Sequence, residues 1–261
     1  MATKSGYAAL SLAFLLAFPA PHLAILPLAA FVLVCLTAPF FPQYSFFLPV
    51  ISRGRAGSKS IALTFDDGPS PHSTPILLAL LAKYRLKATF FVVGCQAKAH
   101  PQLICAILAE GHTIGNHSYF HDNLLMLKSS RTLERDIRLT QQVLVQTGVR
   151  PLFFRPPVGI TNSRLGGVLS GQGLHALTFS CRVYDRGNRN IRNLASRVLA
   201  KIRPGDILLL HDCPPKNRST DYWVKELELL FQVLEQRQLV TPLAELIGHP
   251  IMVSAKENTT T

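Results

Sequence analysis

Two short stretches of the chain carry side chains that could bind a metal ion and hydrolyse a bond. An apolar run in the stretch IALTFDDGP ends at the adjacent carboxylates Asp66 and Asp67, and the later stretch GNHSYFH contains His117 and His121. These histidines are four positions apart, and on a helical turn this spacing would point both imidazoles the same way. Two imidazoles and one carboxylate are three metal ligands that leave coordination positions open for water and substrate, as in catalytic metal sites.

The two adjacent carboxylates could divide the work, one binding a cation and the other handling a proton. Each stretch alone also has an ordinary explanation. Asp-Asp-Gly-Pro is common turn chemistry, and two histidines at this spacing occur on protein surfaces and at helix caps. The combination is much more specific, because each stretch follows a strand-like run.

Three later apolar runs also lead to polar side chains. LFFRPPVG places Arg155 at the end of a strand-like run, where it could orient a carboxylate, and ILLLHD places His211 at the same kind of position. Asp185 follows a third run. In α/β barrels the carboxyl ends of the strands meet at one face, so we expect these groups to converge with Asp66 and Asp67.

The order of apolar runs predicts an α/β fold in which strands alternate with helices. Such an order produces a parallel sheet, here closed or nearly closed as a barrel. The expected strands are residues 60–65, 88–93, 113–116, 152–155, 176–180, 206–211 and 240–242. The expected helices are residues 73–84, 101–110, 130–147, 163–170, 191–201 and 222–236.

The amino-terminal part of the chain has the composition of a membrane segment. Residues 7–51 contain no Asp, Glu, Lys or Arg, which is too long a tract for a signal-peptide core. A membrane helix needs about 20 apolar residues, so the tract could hold one or two spans. Basic residues on both flanks fit a hairpin with both ends in the cytoplasm, whereas a single signal-anchor span would place the domain outside the membrane.

These patterns divide the 261 residues into four parts. Residues 1–51 are expected to be embedded in a membrane, and residues 52–59 form a polar linker. Residues 60–248 form the domain that carries the candidate site. Residues 249–261 are expected to be a flexible tail.

Charge and cysteine content limit the partners that we expect. The formal net charge of +12 suits an anionic surface such as a membrane or a cell-wall polymer. No zinc-finger spacing, RNP-like aromatic run or helix dense in Lys and Arg favours nucleic acid, and the sequence indicates no protein partner. The five cysteines form no CxxC pair, which argues against a disulfide framework. Most should be buried as small apolar groups, with Cys213 a conceivable extra metal ligand.

Four motifs in this order and spacing, TFDDGP, HSYFH, RPPVG and ILLLHD, resemble those of the polysaccharide deacetylase family. This family comprises the carbohydrate esterases that share the nodulation-type chitooligosaccharide deacetylase domain. The stretches GHTIGNHSYFH and LVTPLAEL also resemble the family's usual sequences at these positions, and the similarity covers residues 59–246. The resemblance implies a distorted (β/α) barrel of about seven parallel strands.

The resemblance also implies roles for the residues of the first two motifs. Asp67, His117 and His121 would hold a divalent metal, usually zinc. Asp66 would be the general base that takes a proton from the attacking water. Arg155, from the third motif, would orient Asp66.

The remaining roles implied by the resemblance concern the leaving group and the acyl pocket. His211 would protonate the leaving amine, and Asp185 would tune His211. Leu209 would line the pocket for the acetyl methyl, and the backbone N–H of Val158 would help to stabilise the oxyanion. The sequence departs from the family pattern at two positions: Val158 replaces an aromatic residue, and Arg186 replaces the Trp that usually follows the aspartate.

The expected function is metal-dependent removal of N-acetyl groups from N-acetylglucosamine-type sugars in peptidoglycan or chitin-like oligosaccharides. Two alternatives remain open. Arg186 and its neighbouring arginines, with the membrane segment, would suit a deacetylase or deformylase of a lipid-linked amino sugar. The two departures would also suit a relative that binds glycan without catalysis.

Overall fold

The structure, a computed structural model, describes residues 1–255. The strands are β1 (Val50–Ile51), β2 (Ala62–Asp66), β3 (Ala88–Val92), β4 (Thr113–Asn116), β5 (Val149–Pro151), β6 (Phe153–Phe154), β7 (His175–Leu177), β8 (Cys181–Arg182), β9 (Ile207–His211) and β10 (Met252–Ser254). In this part of the chain, eight of them form one parallel sheet in the order β1-β7-β6-β4-β3-β2-β9-β8, and β10 pairs with β5 in a small antiparallel ladder.

Most helices cover the outer face of the sheet or precede the domain. Their bounds are α1 (Ala2–Ala17), α2 (Ile25–Thr37), α3 (Thr74–Lys83), α4 (Gly94–Ala99), α5 (Pro101–Ala109), α6 (Ser130–Gln146), α7 (Leu165–Ser170), α8 (Leu194–Leu199), α9 (Thr220–Gln236) and α10 (Leu243–Ile247). The two longest helices of the domain, α6 and α9, each begin after a serine whose hydroxyl accepts a hydrogen bond from the backbone N–H three residues later. These caps fix where both helices begin.

The sheet curls into an incomplete barrel, which confirms the expected fold class. A short connection joins β7, near one edge of the sheet, to β8 at the other edge. Within this connection, the N–H of Ser180 donates to the carbonyl of Ile207 at 3.2 Å. Beyond β1, the N–H of Gly54 donates to the carbonyl of Gly205, just before β9, at 2.8 Å. The parallel sheet of the described chain has eight strands where about seven were expected. The expected strand at 240–242 is reduced to one bridge between Val240 and Ile61.

Alternation along the central strands separates two buried faces of the sheet. In β2, Leu63 and Phe65 belong to the large cluster that packs against the outer helices. Ala62 belongs to a smaller cluster with α10 on the opposite, inner face. Because side chains alternate between faces with a period of two, Thr64 and Asp66 lie on the inner face with Ala62. The polar groups of the strand ends therefore point into the barrel.

The amino-terminal segment forms a helical hairpin. Helices α1 and α2 pack closely at Gly6, where an added Cβ would lie 3.1 Å from the ring of Phe31. Within residues 1–255, one helical stretch, Pro21–Phe40, is long and apolar enough to cross a membrane, and none of it is buried. Helix α1 has 16 residues, which is short for a span of about 20.

Two predicted boundaries differ from the structure. Val50 and Ile51, assigned from sequence to the membrane segment, form β1 and pair with β7. A pair of apolar residues has the same composition in a lipid-facing helix and in a buried strand, so composition could not separate the two. The predicted tail 249–261 starts too early, because Met252–Ser254 pairs with β5 as β10. The rest of that tail, residues 256–261, lies outside the described part.

Candidate active site

Asp66 and His211 lie side by side at the carboxyl ends of neighbouring strands. Strands β2 and β9 are parallel, and their register pairs Thr64 with Leu209 and Asp66 with His211. Paired residues of adjacent strands are about 5 Å apart and face the same side of a sheet. Two groups that are 145 positions apart in the chain thus enter one cavity from one sheet face.

Asp67, His117 and His121 form a cluster of the kind that holds a metal ion. The Nε2 atoms of His117 and His121 lie 3.5 and 3.1 Å from Oδ1 of Asp67, and the ligand atoms of the three residues all lie within 4.8 Å of one another. Ligand atoms about 2.0–2.2 Å from a tetrahedral ion lie about 3.3–3.6 Å apart. The donor set and its spacing therefore fit a divalent cation.

The two histidines converge without a helix, contrary to the sequence prediction. Residues 117–121 form a loop in which Ser118 and His121 adopt left-handed conformations, with φ of 69° and 52°. The side chain of Asn116 accepts a hydrogen bond from the N–H of Ser118 at 2.9 Å, and the buried Asp136 accepts one from Tyr119 at 2.6 Å. These bonds compensate a backbone conformation that is costly for non-glycine residues.

A backbone carbonyl orients the imidazole of His117. Its Nδ1 lies 2.8 Å from the carbonyl oxygen of Arg155. A carbonyl can only accept, so Nδ1 carries a proton, and Nε2 is the ring nitrogen that faces Asp67. This arrangement orients a ligand imidazole before any cation binds.

Arg155 holds Asp66 from inside the barrel. Its buried guanidinium donates from Nη1 to Oδ1 of Asp66 at 2.6 Å and to Oγ1 of Thr64 at 2.8 Å, and it lies 3.9 Å from the centroid of the Phe91 ring. Burial lowers the pKa of Arg155, and the neighbouring Asp66 carboxylate opposes that shift. The Phe91 ring and the Thr64 hydroxyl hold the guanidinium in place, and the guanidinium in turn orients the Asp66 carboxylate.

His211 is paired with Asp185 on the other side of the cavity. Its Nδ1 lies 2.7 Å from Oδ2 of Asp185, which is buried. Burial alone would lower the pKa of His211, but the hydrogen bond and charge of Asp185 outweigh it, with Asp67 and Asp66 adding to the rise, and the pKa is raised to about 9. His211 is therefore protonated at neutral pH, as a proton donor must be.

The electrostatics of Asp67 differ from those of an isolated buried carboxylate. Burial raises the pKa of Asp67, but hydrogen bonds with His117 and His121 lower it further than burial raises it. The net pKa lies well below the ordinary value, so Asp67 is ionised across the physiological pH range. An ionised carboxylate beside two imidazoles is ready to accept a cation.

One cavity of about 380 Å³ gathers the predicted site residues. Its lining includes Asp66, Asp67, His117, His121, Val158, Asp185, Leu209 and His211, and Arg155 lies behind Asp66. Val158 is 48 % exposed at the rim and has a left-handed conformation, with φ of 53°, which is unusual for a β-branched residue. Arg182, Arg186 and Arg189 also line this cavity. The structure thus brings every predicted site residue to one place.

Sequence reasoning assigned no role to three buried residues that support the site. Thr64 accepts from Arg155 and donates to the carbonyl of Leu208. Asn188 donates to the carbonyls of His211 and Cys213. Alternation in β2 could have indicated that Thr64 faces inward, whereas Asn188 lies in a loop without a recognisable pattern.

Asp212 is the third supporting residue, and it connects β9 to the turn after β2. Its carboxylate accepts hydrogen bonds from the hydroxyls of Ser73 and Thr74, each at 2.6 Å, and its N–H donates to the carbonyl of Asp66 at 2.7 Å. Burial raises the pKa of Asp212 to about 6, although both hydroxyls oppose the shift. Its place next to His211 in the motif ILLLHD was a usable signal.

All five cysteines are free thiols. Cys213 is half-buried, and burial raises the pKa of its thiol, which disfavours the thiolate that a metal ligand requires. Cys213 does not belong to the cluster of Asp67, His117 and His121. The cysteine chemistry of the described chain thus adds nothing to this cluster.

Comparison with known proteins gives a consistent result. Residues 53–177 match the family model described as polysaccharide deacetylase. The chitooligosaccharide deacetylase of Sinorhizobium fredii is 36% identical over 205 residues, covering 74% of this chain and 94% of that protein. The peptidoglycan-N-acetylglucosamine deacetylase of Bacillus cereus is 38% identical over 157 residues, covering 59% of this chain and 73% of that protein.

A solved structure has the same fold. The Bc1960 peptidoglycan N-acetylglucosamine deacetylase superposes with a TM-score of 0.70 and 28% identity, covering 77% of this chain and 94% of that one. The alignment with the Sinorhizobium fredii chitooligosaccharide deacetylase extends over nearly the whole length of that enzyme. With the curled parallel sheet and the converging motifs at its carboxyl edge, these similarities show that the chain belongs to the polysaccharide deacetylase family.

Proposed function

We propose that this protein removes N-acetyl groups from N-acetylglucosamine-type sugars, in peptidoglycan or chitin-like oligosaccharides, with the help of a divalent metal. The observation that carries the proposal is the register of Asp66 and His211 beside the cluster of Asp67, His117 and His121. A base, an acid and a cation site thus surround one cavity. Relatives named for these two substrates support the choice of sugar.

Asp67, His117 and His121 would hold the metal, which we propose to be zinc because two imidazoles and one carboxylate are a common catalytic zinc set. A bound zinc ion would polarise the amide carbonyl and make the attacking water more acidic. The His117 side chain is already oriented by the carbonyl of Arg155. Orienting the His117 imidazole therefore costs little free energy when the ion binds.

Two side chains on adjacent strands, Asp66 and His211, transfer the protons. Asp66, held by Arg155, accepts the proton of the water that attacks the acetyl carbon. His211, protonated through its pairing with Asp185, gives a proton to the amine nitrogen as the C–N bond breaks. The backbone N–H of Val158 assists the developing oxyanion, and Leu209 packs on the acetyl methyl.

Acetate release tests this proposal. The full-length protein, loaded with zinc in detergent, should release acetate from chitotetraose, and Asp66→Asn should lower kcat by about 10²–10⁴-fold, the usual contribution of a general base. A protein that binds zinc and glycan but releases no acetate from any N-acetylglucosamine substrate would favour a non-catalytic relative. Unchanged activity in Asp66→Asn would refute the role of that residue.

We also propose that the amino-terminal hairpin anchors the protein to a membrane. The stretch Pro21–Phe40 supports this by its length, its apolar composition and its lack of buried residues. Fractionation of cells that express the full chain should place it with membranes, resistant to extraction by high salt and alkali. Protease treatment of intact cells would then report on which side the domain lies.

A further inference from the structure

The catalytic cavity adjoins a second cavity that the proposed reaction does not use. The second cavity has a volume of about 540 Å³ and shares five lining residues with the first. These shared residues are Val158, Gly159, Phe179, Arg182 and Tyr184. A ligand seated at Asp66 and His211 can therefore extend past this common wall.

The second cavity is positively charged. Arg53, Arg182 and Lys201 line it, and none of its described lining residues is acidic. Arg53 is paired with Asp206 at 3.0 Å. Arg182 and Lys201 have no carboxylate partner within residues 1–255, so their charges remain available to a ligand.

Tyr184 holds the two unpaired cations together. The guanidinium of Arg182 lies 4.3 Å from the centroid of the Tyr184 ring, and Nζ of Lys201 lies 5.5 Å from it. Nζ of Lys201 also donates to the carbonyl of Arg182 at 2.8 Å. Neighbouring like charges repel, so a cavity that keeps two of them on one aromatic ring suits an anion with several oxygens, such as a phosphate.

The far wall of the second cavity is the end of the proposed membrane helix. Phe40 and Phe41 line the cavity and are 63% and 49% exposed. The carbonyl of Pro39 accepts a hydrogen bond from Thr161, in the loop after β6, at 3.1 Å. The path from the acetyl site thus passes two cations and ends at apolar side chains where a span would leave the bilayer.

The loop that carries the metal ligands exposes apolar side chains as well. Phe120, Leu124 and Leu127 are 67%, 58% and 78% exposed. This loop is tied to the loop after β6, because Asn162 donates to the carbonyl of Met126 at 2.6 Å. Exposed apolar groups beside basic ones are typical of surfaces that contact a membrane interface. The loop after β6 thus connects the exposed apolar side chains of the metal-ligand loop with the hairpin end, since Thr161 donates to the carbonyl of Pro39.

We infer that the acylated sugar of the preferred substrate is joined through a phosphate or diphosphate to a membrane lipid. This inference rests on the proposed deacetylation and names its substrate class. The sugar lies in the catalytic cavity, the phosphate contacts Arg182 and Lys201, and the lipid chain leaves over Phe40 and Phe41. The neutral chitin-like chain would fill only the first cavity.

Three substrates separate the parts of this inference. The zinc-loaded full-length protein is assayed in detergent micelles with polyprenyl-diphosphate N-acetylglucosamine, with soluble N-acetylglucosamine 1-phosphate and with chitotetraose. We expect kcat/KM for the lipid-linked sugar to exceed that for each soluble substrate by at least about tenfold, which is about 1.4 kcal/mol. Equal values for the lipid-linked and soluble phosphates would overturn the lipid part, and equal values for all three would overturn the inference.

Two charge-removing variants test the second cavity. Lys201→Gln and Arg182→Gln should each lower the ratio of kcat/KM for lipid-linked sugar over chitotetraose by about three- to tenfold, since each removes one charge-assisted contact. The matched control is Arg237→Gln, an exposed cation after α9, which should leave the ratio unchanged. An unchanged ratio in both cavity variants would refute the phosphate site. Absence of acetate from all three substrates would instead refute the proposed deacetylation.

Discussion

Oδ1 of Asp66 lies 2.6 Å from Nη1 of Arg155, and both side chains are buried inside the barrel. The two residues come from β2 and from the end of β6, so their pairing joins two parts of the sheet that are far apart in the chain. A buried guanidinium compensates a buried carboxylate, and removal of one partner leaves the other charge without a counterpart.

Arg155→Met should therefore destabilise the fold as well as the activity. We expect the free energy of unfolding to fall by about 3–5 kcal/mol, because the buried Asp66 carboxylate would lose its paired charge and its hydrogen-bond donor. Denaturant unfolding followed by circular dichroism measures the loss. Arg155→Lys keeps the charge but not the fork geometry, so it should recover part of the stability and little of the activity. A Met variant as stable as the wild type would contradict the importance of this pair.

Removal of one ligand should separate metal binding from proton transfer. Asp67→Asn should lose most of the bound zinc, because an amide is a much weaker ligand than a carboxylate. Asp66→Asn, its neighbour in the chain, should keep the zinc and lose activity. Metal content after gel filtration, measured by atomic emission, distinguishes the two variants. Full zinc occupancy in Asp67→Asn would exclude this residue from the metal set.

The pairing of His211 with Asp185 predicts the alkaline limit of activity. The pKa of His211 is raised to about 9, so the proton donor is present below that pH and is lost as pH rises through it. The Asp185→Asn variant lacks the carboxylate that raises the pKa of His211 most. The alkaline limb of its kcat/KM profile should therefore move toward pH 6.5, the ordinary pKa of imidazole. A pH–rate profile from pH 6 to 10 checks this. Identical limbs in the two proteins would show that Asp185 does not control the donor.

Asp212 predicts a pH-dependent change in stability. Its pKa is raised from 3.8 to about 6, so its folded state binds a proton more tightly than its unfolded state, and stability is lost as pH rises through this interval. The shift corresponds to roughly 3 kcal/mol. Asp212→Asn cannot ionise, so its stability relative to wild type should improve by about that amount between pH 3.5 and pH 7. Thermal unfolding at several pH values measures the difference, and parallel pH curves would contradict it.

Much of the site was predictable because its chemistry is local in the sequence. Asp66, His117, Arg155 and His211 each follow a strand-like run, and a run that ends in a polar group predicts a strand with that group at its carboxyl end. The helical turn predicted for His117 and His121 was wrong. Spacing alone cannot reveal left-handed residues such as Ser118, whose φ is 69° because Asn116 and its surroundings stabilise it.

The sequence by itself determined which elements form and which polar groups stand at their ends, since side-chain periodicity and turn chemistry act over a few residues. Only the tertiary structure decided that β9, the last strand of the sheet along the chain, lies beside β2, so that His211 faces Asp66 in register. It also placed Arg182 and Lys201 on one tyrosine ring between the catalytic cavity and the hairpin end. Strand order and cavity shape depend on packing between distant segments, and no local pattern in the sequence contains that information.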